Sequence, residues 1–167
     1  DVHAMHRRIS AHRLPTTGVI ALQRDVPTPA GPRTARFECL HLEHGSTAEG
    51  LVQAAHHLTP ELIHQPHLLE HPNGAKSLSE VVFSVSDLEP FITRYEQFTG
   101  YEAQRDGKGW RIDLPRASSL IFLRPEDVAE RLPGSLMTTP PSIAALGFEV
   151  ADLGRVDRIL RKSGLRV

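Results

Sequence analysis

The sequence has a single cysteine, Cys39, and no apolar run near the roughly 20 residues that a membrane helix needs. One cysteine excludes an internal disulfide framework and is typical of a reducing cytoplasm, which is the compartment we expect. Cys39 itself suits a small buried strand position. Neither a signal peptide nor a membrane partner is indicated.

The sequence also carries little net charge. Its 19 Lys and Arg residues and 20 Asp and Glu residues give a formal charge of −1, so nothing favours nucleic acid or an anionic membrane as a partner. The hydrophobic content of 40% and charged content of 23% are those of a globular protein. A chain of 167 residues can bury a real core as one domain or as two small modules.

Several catalytic signatures are missing. The sequence has no Gly-rich phosphate-binding loop, no nucleophile elbow and no His-Glu-x-x-His motif. It also has no cysteine in a convincing catalytic histidine environment. The corresponding chemistries therefore have little support.

An internal repeat is the most informative feature that is present. Residues 82–88, Val-Phe-Ser-Val-Ser-Asp-Leu, recur as residues 147–153, Gly-Phe-Glu-Val-Ala-Asp-Leu. Each copy predicts a strand that stops at Asp and runs into an amphipathic helix, over Leu88–Gly100 and Leu153–Gly164. A weaker copy begins at Asp1, where a helical pattern has no strand before it. Such repeats decide the architecture, and here they predict three βα openings, the first without its strand.

The rest of the pattern predicts mainly strands. They are expected over Val19–Leu22, Thr34–Glu43, Leu78–Val85, Tyr101–Arg105, Trp110–Leu114, Ser119–Leu123 and Ile143–Val150. The segment around Ala48–Ala55 is predicted as a helix or a long connection. Thr59 and Pro60 are typical of a helix start, and Asp127–Leu132 of a short polar helix. The order within residues 78–123 is β-α-β-β-β.

Strand alternation divides the residues of the later two openings between two faces. The residues expected under the helices are Val81, Phe83, Val85, Leu146, Phe148 and Val150. Those expected on the opposite face are Glu80, Val82, Ser84, Ala145, Gly147 and Glu149. Polar positions on this second face indicate either a lined cavity or a simply solvated surface.

Repeated βαβββ units with these strand-Asp-Leu-helix openings resemble the vicinal oxygen chelate superfamily, which includes glyoxalase I, extradiol dioxygenases and bleomycin-resistance proteins. Residues 57–61, His-Leu-Thr-Pro-Glu, and residues 71–75, His-Pro-Asn-Gly-Ala, are similar to the connecting segment of its bacterial glyoxalase-like members. The resemblance covers nearly the whole chain. It implies an α+β fold of repeated βαβββ modules that form a half-open mixed-sheet barrel with helices on the outer face.

The resemblance also implies a division of the chain. The expected segments are a first module lacking its first strand (1–44), a connecting segment (45–76), a second module (77–132), a linker (133–142) and the βα start of a third module (143–167). Such modules complete one another's sheets by pairing. We therefore expect the functional cup to form between modules, within the chain or across a homodimer.

In this superfamily, metal ligands on the first and last strands of modules point into the cup, where a divalent ion acts as a Lewis acid on substrate oxygens. Carried over to this sequence, the usual ligand position of the second module is Glu80, whereas the same position of the last repeat is Ala145. Residues 119–123 lack the usual carboxylate. The resemblance thus implies a divalent Zn, Fe, Ni or Mn ion, with the candidate ligands His41, His57 and Glu80.

Each candidate has a second interpretation. Glu80, which is also the candidate general base, could instead pair with a basic side chain such as Arg111 or face open water. His41 and His57 could make structural hydrogen bonds instead of binding metal. The clustering of histidines favours metal, because seven of the ten lie between residues 41 and 71. His71 is expected to brace the turn at residues 72–74.

Three further residues are candidates for contact with a substrate: Trp110, Arg111 and Glu149. Trp110 could equally pack at the core or the rim, and Glu149 could be a second acid or lie at a wet edge. Neither residue points to a particular substrate.

The resemblance implies, as the leading hypothesis, a metal-dependent lyase, isomerase or dioxygenase-type enzyme acting on a small oxygen-rich metabolite. The alternative is a metal-free protein that binds and sequesters a small molecule, as antibiotic-resistance members of the superfamily do. The supply of histidines favours the enzyme, and the incomplete ligand positions favour sequestration. A structural or regulatory module with a degenerate site is a third interpretation.

Overall fold

The computed structural model describes residues 1–135 and 139–165, and within these ranges the chain is a mixed α+β protein, as the sequence predicts. Its strands form two sheets, one of three strands and one of five. Residues 136–138 of the predicted linker and residues 166–167 of the predicted third opening lie outside the described residues.

The first unit is a helix followed by an antiparallel meander with the strand order β1-β2-β3. Its elements are α1 (Val2–Ala11), β1 (Thr16–Val26), β2 (Arg33–Leu42) and β3 (Gln53–His57). The carboxylate of Asp1 accepts hydrogen bonds from the backbone N–H groups of His3 and Ala4 and so caps α1. One side of α1 packs on the sheet, where Ile9 and Leu40 are fully buried. The helix predicted at the start of the chain is therefore confirmed.

The segment around Ala48–Ala55 contains no helix, so that part of the expectation is wrong. It is a connection that becomes strand β3 at Gln53. The strand forms because its backbone pairs with β2, with Ala55 opposite the buried Cys39. The conformation of this segment is decided by pairing with a strand elsewhere in the chain. The local sequence pattern does not predict that pairing.

Two single-turn helices follow, α2 (Pro60–Ile63) and α3 (Pro66–Leu69). The first begins as predicted, with Thr59 immediately before it and proline in its first turn. The Thr59 hydroxyl makes no capping hydrogen bond to α2, however. It accepts a hydrogen bond of 2.9 Å from the backbone N–H of Arg36 and so fastens α2 to the first sheet.

The second unit has the predicted β-α-β-β-β order, and a helix and a further βα pair follow it. The elements are β4 (Ala75–Ser84), α4 (Leu88–Thr99), β5 (Ala103–Asp106), β6 (Gly109–Leu114), β7 (Ser118–Leu123), α5 (Pro125–Arg131), β8 (Ser142–Val150) and α6 (Leu153–Lys162). The strand order is β5-β6-β7-β4-β8. Strand β4 is parallel to β7 and antiparallel to β8, which places it inside the sheet.

The residues of β4 that were expected under the helix do lie there. Phe83 and Val85 are buried against Phe91 and Tyr95 of α4 and against Phe122 of β7. The rings of Phe83 and Phe122 are stacked with centroids 5.3 Å apart, and the Tyr95 ring lies 5.2 Å from each of them. These aromatic contacts form the centre of the second unit's core.

Arg8 of α1 joins the two units. Its guanidinium donates hydrogen bonds to the carbonyl oxygens of Gln97, at 3.1 Å, and Phe98, at 2.7 Å, near the end of α4. Gly100 ends that helix with a φ of +79°. The positive φ favours glycine here, and a Cβ at this position would lie 2.7 Å from Cζ of Arg8, so a larger residue would displace the Arg8 guanidinium.

The opposite face of β4 is covered by α5. Val82 packs there with Ile121 and Leu123 of β7 and with Val128 of α5, and all four side chains are buried. The alternation along β4 is therefore as predicted. This end of the face is packed hydrocarbon, however, and not the hollow that the polar positions suggested.

The last βα pair follows the predicted pattern without the predicted burial. Leu146 and Phe148, expected under the helix, are 51% and 55% exposed, and α6 buries none of its residues. Helix α4 is buried by β6 and β7 as well as by β4. Among the described residues, no further strands lie beside β8 to pack against α6 as β6 and β7 pack against α4. The apolar side chains of β8 therefore stay exposed.

Both sheets are open, and the described ranges form no closed barrel. In the same ranges, no helix has both the length and the apolar character needed to cross a membrane. The half-open barrel implied by the resemblance stays a prediction.

The aromatic cluster yields a stability prediction. Phe122→Ala removes a side chain that is 0% exposed and leaves a cavity, so the free energy of unfolding should fall by about 3–5 kcal/mol. The matched control is Leu69→Ala, because Leu69 is 59% exposed and its loss should change stability by about 0.5 kcal/mol or less. Urea denaturation followed by circular dichroism measures both. Equal losses in the two variants would contradict the assigned core.

Candidate functional site

Glu80, the predicted metal ligand and general base, is held by two arginines. Its Oε1 lies 3.6 Å from a guanidinium nitrogen of Arg111, and its Oε2 lies 3.3 Å from one of Arg131. Arg111 also pairs with Asp113, and Arg131 pairs with Asp106. Glu80 therefore pairs with basic side chains, which was the alternative to metal binding that the sequence offered. A metal ion bound by Glu80 would share the carboxylate with two cationic partners.

Hydrogen bonds favour the charged forms of Asp113 and Arg111 in this network. Arg111 and the Ser119 hydroxyl hold the pKa of Asp113 below its ordinary value, and Asp113 in turn raises the pKa of Arg111. Gly147 of β8 pairs with Glu80 of β4, and a Cβ on that glycine would lie 3.1 Å from the Cβ of Glu80. The close approach of the two strands leaves little room for a bulkier residue beside the carboxylate.

His41 and His57 lie on the same face of the first sheet but are well separated along the strand direction. In the strand register, His57 is opposite Phe37, which is four residues from His41 along β2, a separation of about 13 Å. The His57 ring stacks on His64 with centroids 5.8 Å apart and meets the edge of Phe37. Nε2 of His41 and Nδ1 of His57 are buried without a hydrogen-bond partner among the described residues.

The candidate metal ligands are thus distributed over both units, with Glu80 in the second sheet and the two histidines in the first. The described part of the chain contains no group of three or more His, Cys, Asp or Glu side chains placed to hold a metal ion. The divalent metal centre stays a prediction, and the arrangement of His41, His57 and Glu80 does not fit it.

His71 braces a turn, as expected. Its Nδ1 lies 2.6 Å from Oδ1 of Asn73, and the same oxygen accepts a hydrogen bond from the backbone N–H of Ala75. Gly74 has a φ of +75°, which favours glycine in this turn. His71 therefore has a structural role at the start of β4.

The three predicted substrate contacts do not share one wall. Trp110 packs against the core under α4, with the guanidinium of Arg105 5.2 Å from its ring. Arg111 is the next residue of β6 and lies on the opposite face with Glu80. The side chain of Glu149 is 59% exposed and pairs with Lys76 at 3.3 Å.

A different site lies between the two units, on the helix side of the second sheet. It is a cleft of about 330 Å³ that residues 49–53 of the first unit cover. Much of its wall is hydrocarbon, contributed by Val81, Phe83, Phe98, Leu114, Leu120 and Ile143. A concave, mostly apolar site with few polar groups is the usual form of a small-molecule pocket.

Glu49 supplies a buried charge to this cleft. Its side chain is 2% exposed, and its Oε1 accepts hydrogen bonds from Arg94, at 2.7 Å, and from the Tyr95 hydroxyl, at 2.9 Å. Its Oε2 is buried and has no partner among the described residues. The guanidinium of Arg94 also lies 4.5 Å from the centre of the Phe91 ring, which adds a cation–π contact.

The loop that carries Glu49 is held in place by short-range hydrogen bonds. The hydroxyl of the buried Thr47 donates to the carbonyl of Gly50 at 2.6 Å, and Gly50 has a φ of +133°. The carbonyl of Ser46 accepts a further hydrogen bond from Arg94. Val52 then resumes the backbone pairing with Leu42. These contacts tie the loop both to its own sheet and to α4.

Sequence reasoning missed Glu49, because it lies in a segment predicted only as a connection or helix. Its partner Arg94 is 45 residues away along the chain. No local spacing or motif marks such a pair. The nearest available signals were the charged Arg94 within an otherwise apolar helix face and the expectation that a cup forms between units.

Comparison with known proteins supports the fold but does not assign the chain to a family. No family model matches the chain, and neither does any curated protein. A solved structure titled as a hypothetical protein from Staphylococcus aureus is similar to it, with a TM-score of 0.56 and 8% sequence identity. The match covers 74% of this chain and 49% of that one, so the chain spans about half the length of that protein. At this identity the likeness shows the fold alone.

Tyr95 yields a pH prediction. Burial, and then the neighbouring charge of Glu49, raise its pKa above the ordinary value, so the folded protein keeps the phenol proton at a pH where the unfolded chain releases it. The stabilisation is fully present below pH of about 10 and is lost as the pH rises further. The free energy of unfolding should therefore fall by up to about 1.4 kcal/mol more per pH unit in the wild type than in Tyr95→Phe.

Urea denaturation of the two proteins at several pH values between about 9 and 11 measures this difference. Absorbance at the tyrosinate band gives an independent check. The two proteins should match while folded, and the wild type should gain one additional tyrosinate when unfolded. Parallel pH profiles would show that Tyr95 is not buried beside a carboxylate.

Proposed function

We propose that the chain is a glyoxalase-like protein of the vicinal oxygen chelate superfamily that binds a small, mostly apolar molecule in the cleft between its two units. The β-α-β-β-β order of the second unit and the repeated strand-Asp-Leu-helix openings support the family. The half-open barrel of that superfamily is part of the proposal. The likeness to the Staphylococcus aureus structure supports the fold and carries nothing about a ligand.

One observation carries the binding proposal: Glu49, whose Oε2 is buried and has no partner among the described residues, is part of the lining of an apolar cleft. A buried acceptor without a donor costs about 1–3 kcal/mol or more, because it has lost its hydrogen bonds to water. A ligand that donates to this oxygen would recover that cost. The cleft volume of about 330 Å³ lies at the lower end of the range for small-molecule sites.

A metal-dependent enzyme of the lyase, isomerase or dioxygenase type is the second candidate. The observation that favours it is the pair of buried imidazole nitrogens without partners, Nε2 of His41 and Nδ1 of His57. Imidazole nitrogens are the metal ligands in many proteins. The two arginines on Glu80 weigh against this candidate, because a metal ion there would be repelled by two neighbouring cations.

Ligand binding in the cleft is tested with the fluorophore prodan, which is neutral and has no hydrogen-bond donor. Its emission should shift to the blue and saturate as the protein is added. Ile143→Trp should weaken binding about tenfold or more, because Ile143 lines the cleft, is 47% exposed and can be enlarged at little cost to the core. Leu146→Trp is the matched control, on the same strand and outside the cleft lining.

Equal affinity in the two tryptophan variants would place the fluorophore elsewhere and refute the proposed site. Circular dichroism and thermal unfolding of each variant confirm that the fold is kept. Saturation with a dissociation constant in the micromolar range would correspond to a binding free energy of about −8 kcal/mol.

The two candidate functions also differ in metal content. If the cleft is the functional site, then protein dialysed against zinc should hold less than one equivalent, and Glu80→Ala should not change that amount. Plasma emission spectrometry on the two proteins measures it. One equivalent of zinc that is lost in Glu80→Ala would favour the metal-dependent enzyme over the binding protein.

A further inference from the structure

The hydrogen bonds of Glu49 are distributed unequally between its two oxygens. Arg94 and Tyr95 both donate to Oε1, at 2.7 Å and 2.9 Å, whereas Oε2 receives no donor from the described residues. A carboxylate can accept about four hydrogen bonds, two at each oxygen. Oε2 is therefore a buried acceptor without a donor among the described residues, on a side chain that lines a mostly hydrocarbon cleft.

The charge of Glu49 is already balanced. Arg94 forms a one-to-one ion pair with it, and its side chain is 24% exposed against 2% for Glu49. An ammonium ligand would bring a second cation to a carboxylate that already has one. An anionic ligand would meet the carboxylate directly, which is a like-charge contact. A neutral donor satisfies Oε2 without either cost.

We infer that the ligand of the cleft is a neutral hydroxylated compound, a phenol or alcohol on a compact hydrocarbon body, whose hydroxyl donates to Oε2 of Glu49. The inference rests on the proposed binding function and adds the chemical class of the ligand. Phe83 and Phe98 offer ring faces or edges, and Leu114 and Leu120 offer branched hydrocarbon, for the body of such a molecule. The hydroxyl then fixes its orientation.

Glu49→Gln tests the role of this oxygen because it turns an acceptor into a donor. Arg94 and Tyr95 both donate, so they would select the amide carbonyl for the position that Oε1 now occupies. The amide nitrogen would then take the place of Oε2. The variant keeps the shape of the side chain and its hydrogen bonds to α4, and circular dichroism establishes whether it folds.

The experiment measures displacement of prodan by α-naphthol and by α-methylnaphthalene, which is similar in size but has no hydrogen-bond donor. In the wild type, α-naphthol should bind about tenfold more tightly, as expected for a hydrogen bond to a charged acceptor. In Glu49→Gln the two compounds should bind equally, or the order should reverse. The readout is the ratio of the two naphthalene affinities within each protein, so a change in the affinity for prodan does not alter the comparison.

Other outcomes overturn one proposal or the other. If prodan binds in the cleft but the ratio of the two naphthalenes is the same in both proteins, the inference about Oε2 fails and the binding function stands. If α-naphthylmethylammonium or α-naphthoate binds more tightly than α-naphthol, the ligand class is charged and the inference is wrong. If Ile143→Trp leaves prodan binding unchanged, the proposed function itself fails. The ligand series in the wild type decides the inference even if Glu49→Gln does not fold.

Discussion

A buried ion pair between Glu49 and Arg94 is the interaction on which the arrangement of the site depends. It fixes the loop of residues 49–53 against α4, and that loop is one wall of the cleft. Removing one partner of such a pair is strongly destabilising, because the other charge is left buried. Burial first, and then the charge of Glu49, which accepts a hydrogen bond from the Tyr95 hydroxyl, raise the pKa of Tyr95. Arg8, bound to the other end of α4, holds the units together at a second point.

Much of the fold could be predicted because its signals are local. The Asp-Leu openings, the glycine that ends α4 and the alternation along β4 are each written within a few residues. The exceptions depend on partners elsewhere. Strand β3 exists because β2 pairs with it, and Leu146 and Phe148 stay exposed because an apolar face is buried only where a second layer meets it. Sequence periodicity predicts which side chains share the apolar face of a strand, but it does not predict whether another element packs on that face.

The site was less predictable for the same reason. The arginine alternative for Glu80 could be named because Arg111 was a plausible neighbour, although Arg131 was not foreseen. Strand alternation alone separates Trp110 from Arg111, so they could not have lined one wall. Glu49 and Arg94 meet only when one unit docks on the other. The chemistry of the cleft is therefore a property of the assembled units, and neither repeat contains it alone.

The most direct test of this account is a crystal structure of the protein with bound α-naphthol. The account predicts that the naphthol oxygen lies about 2.5–2.8 Å from Oε2 of Glu49, with the ring between α4 and the loop and the ion pair to Arg94 intact. A naphthol bound outside the cleft, or a Glu49 side chain turned into solvent away from Arg94, would contradict it.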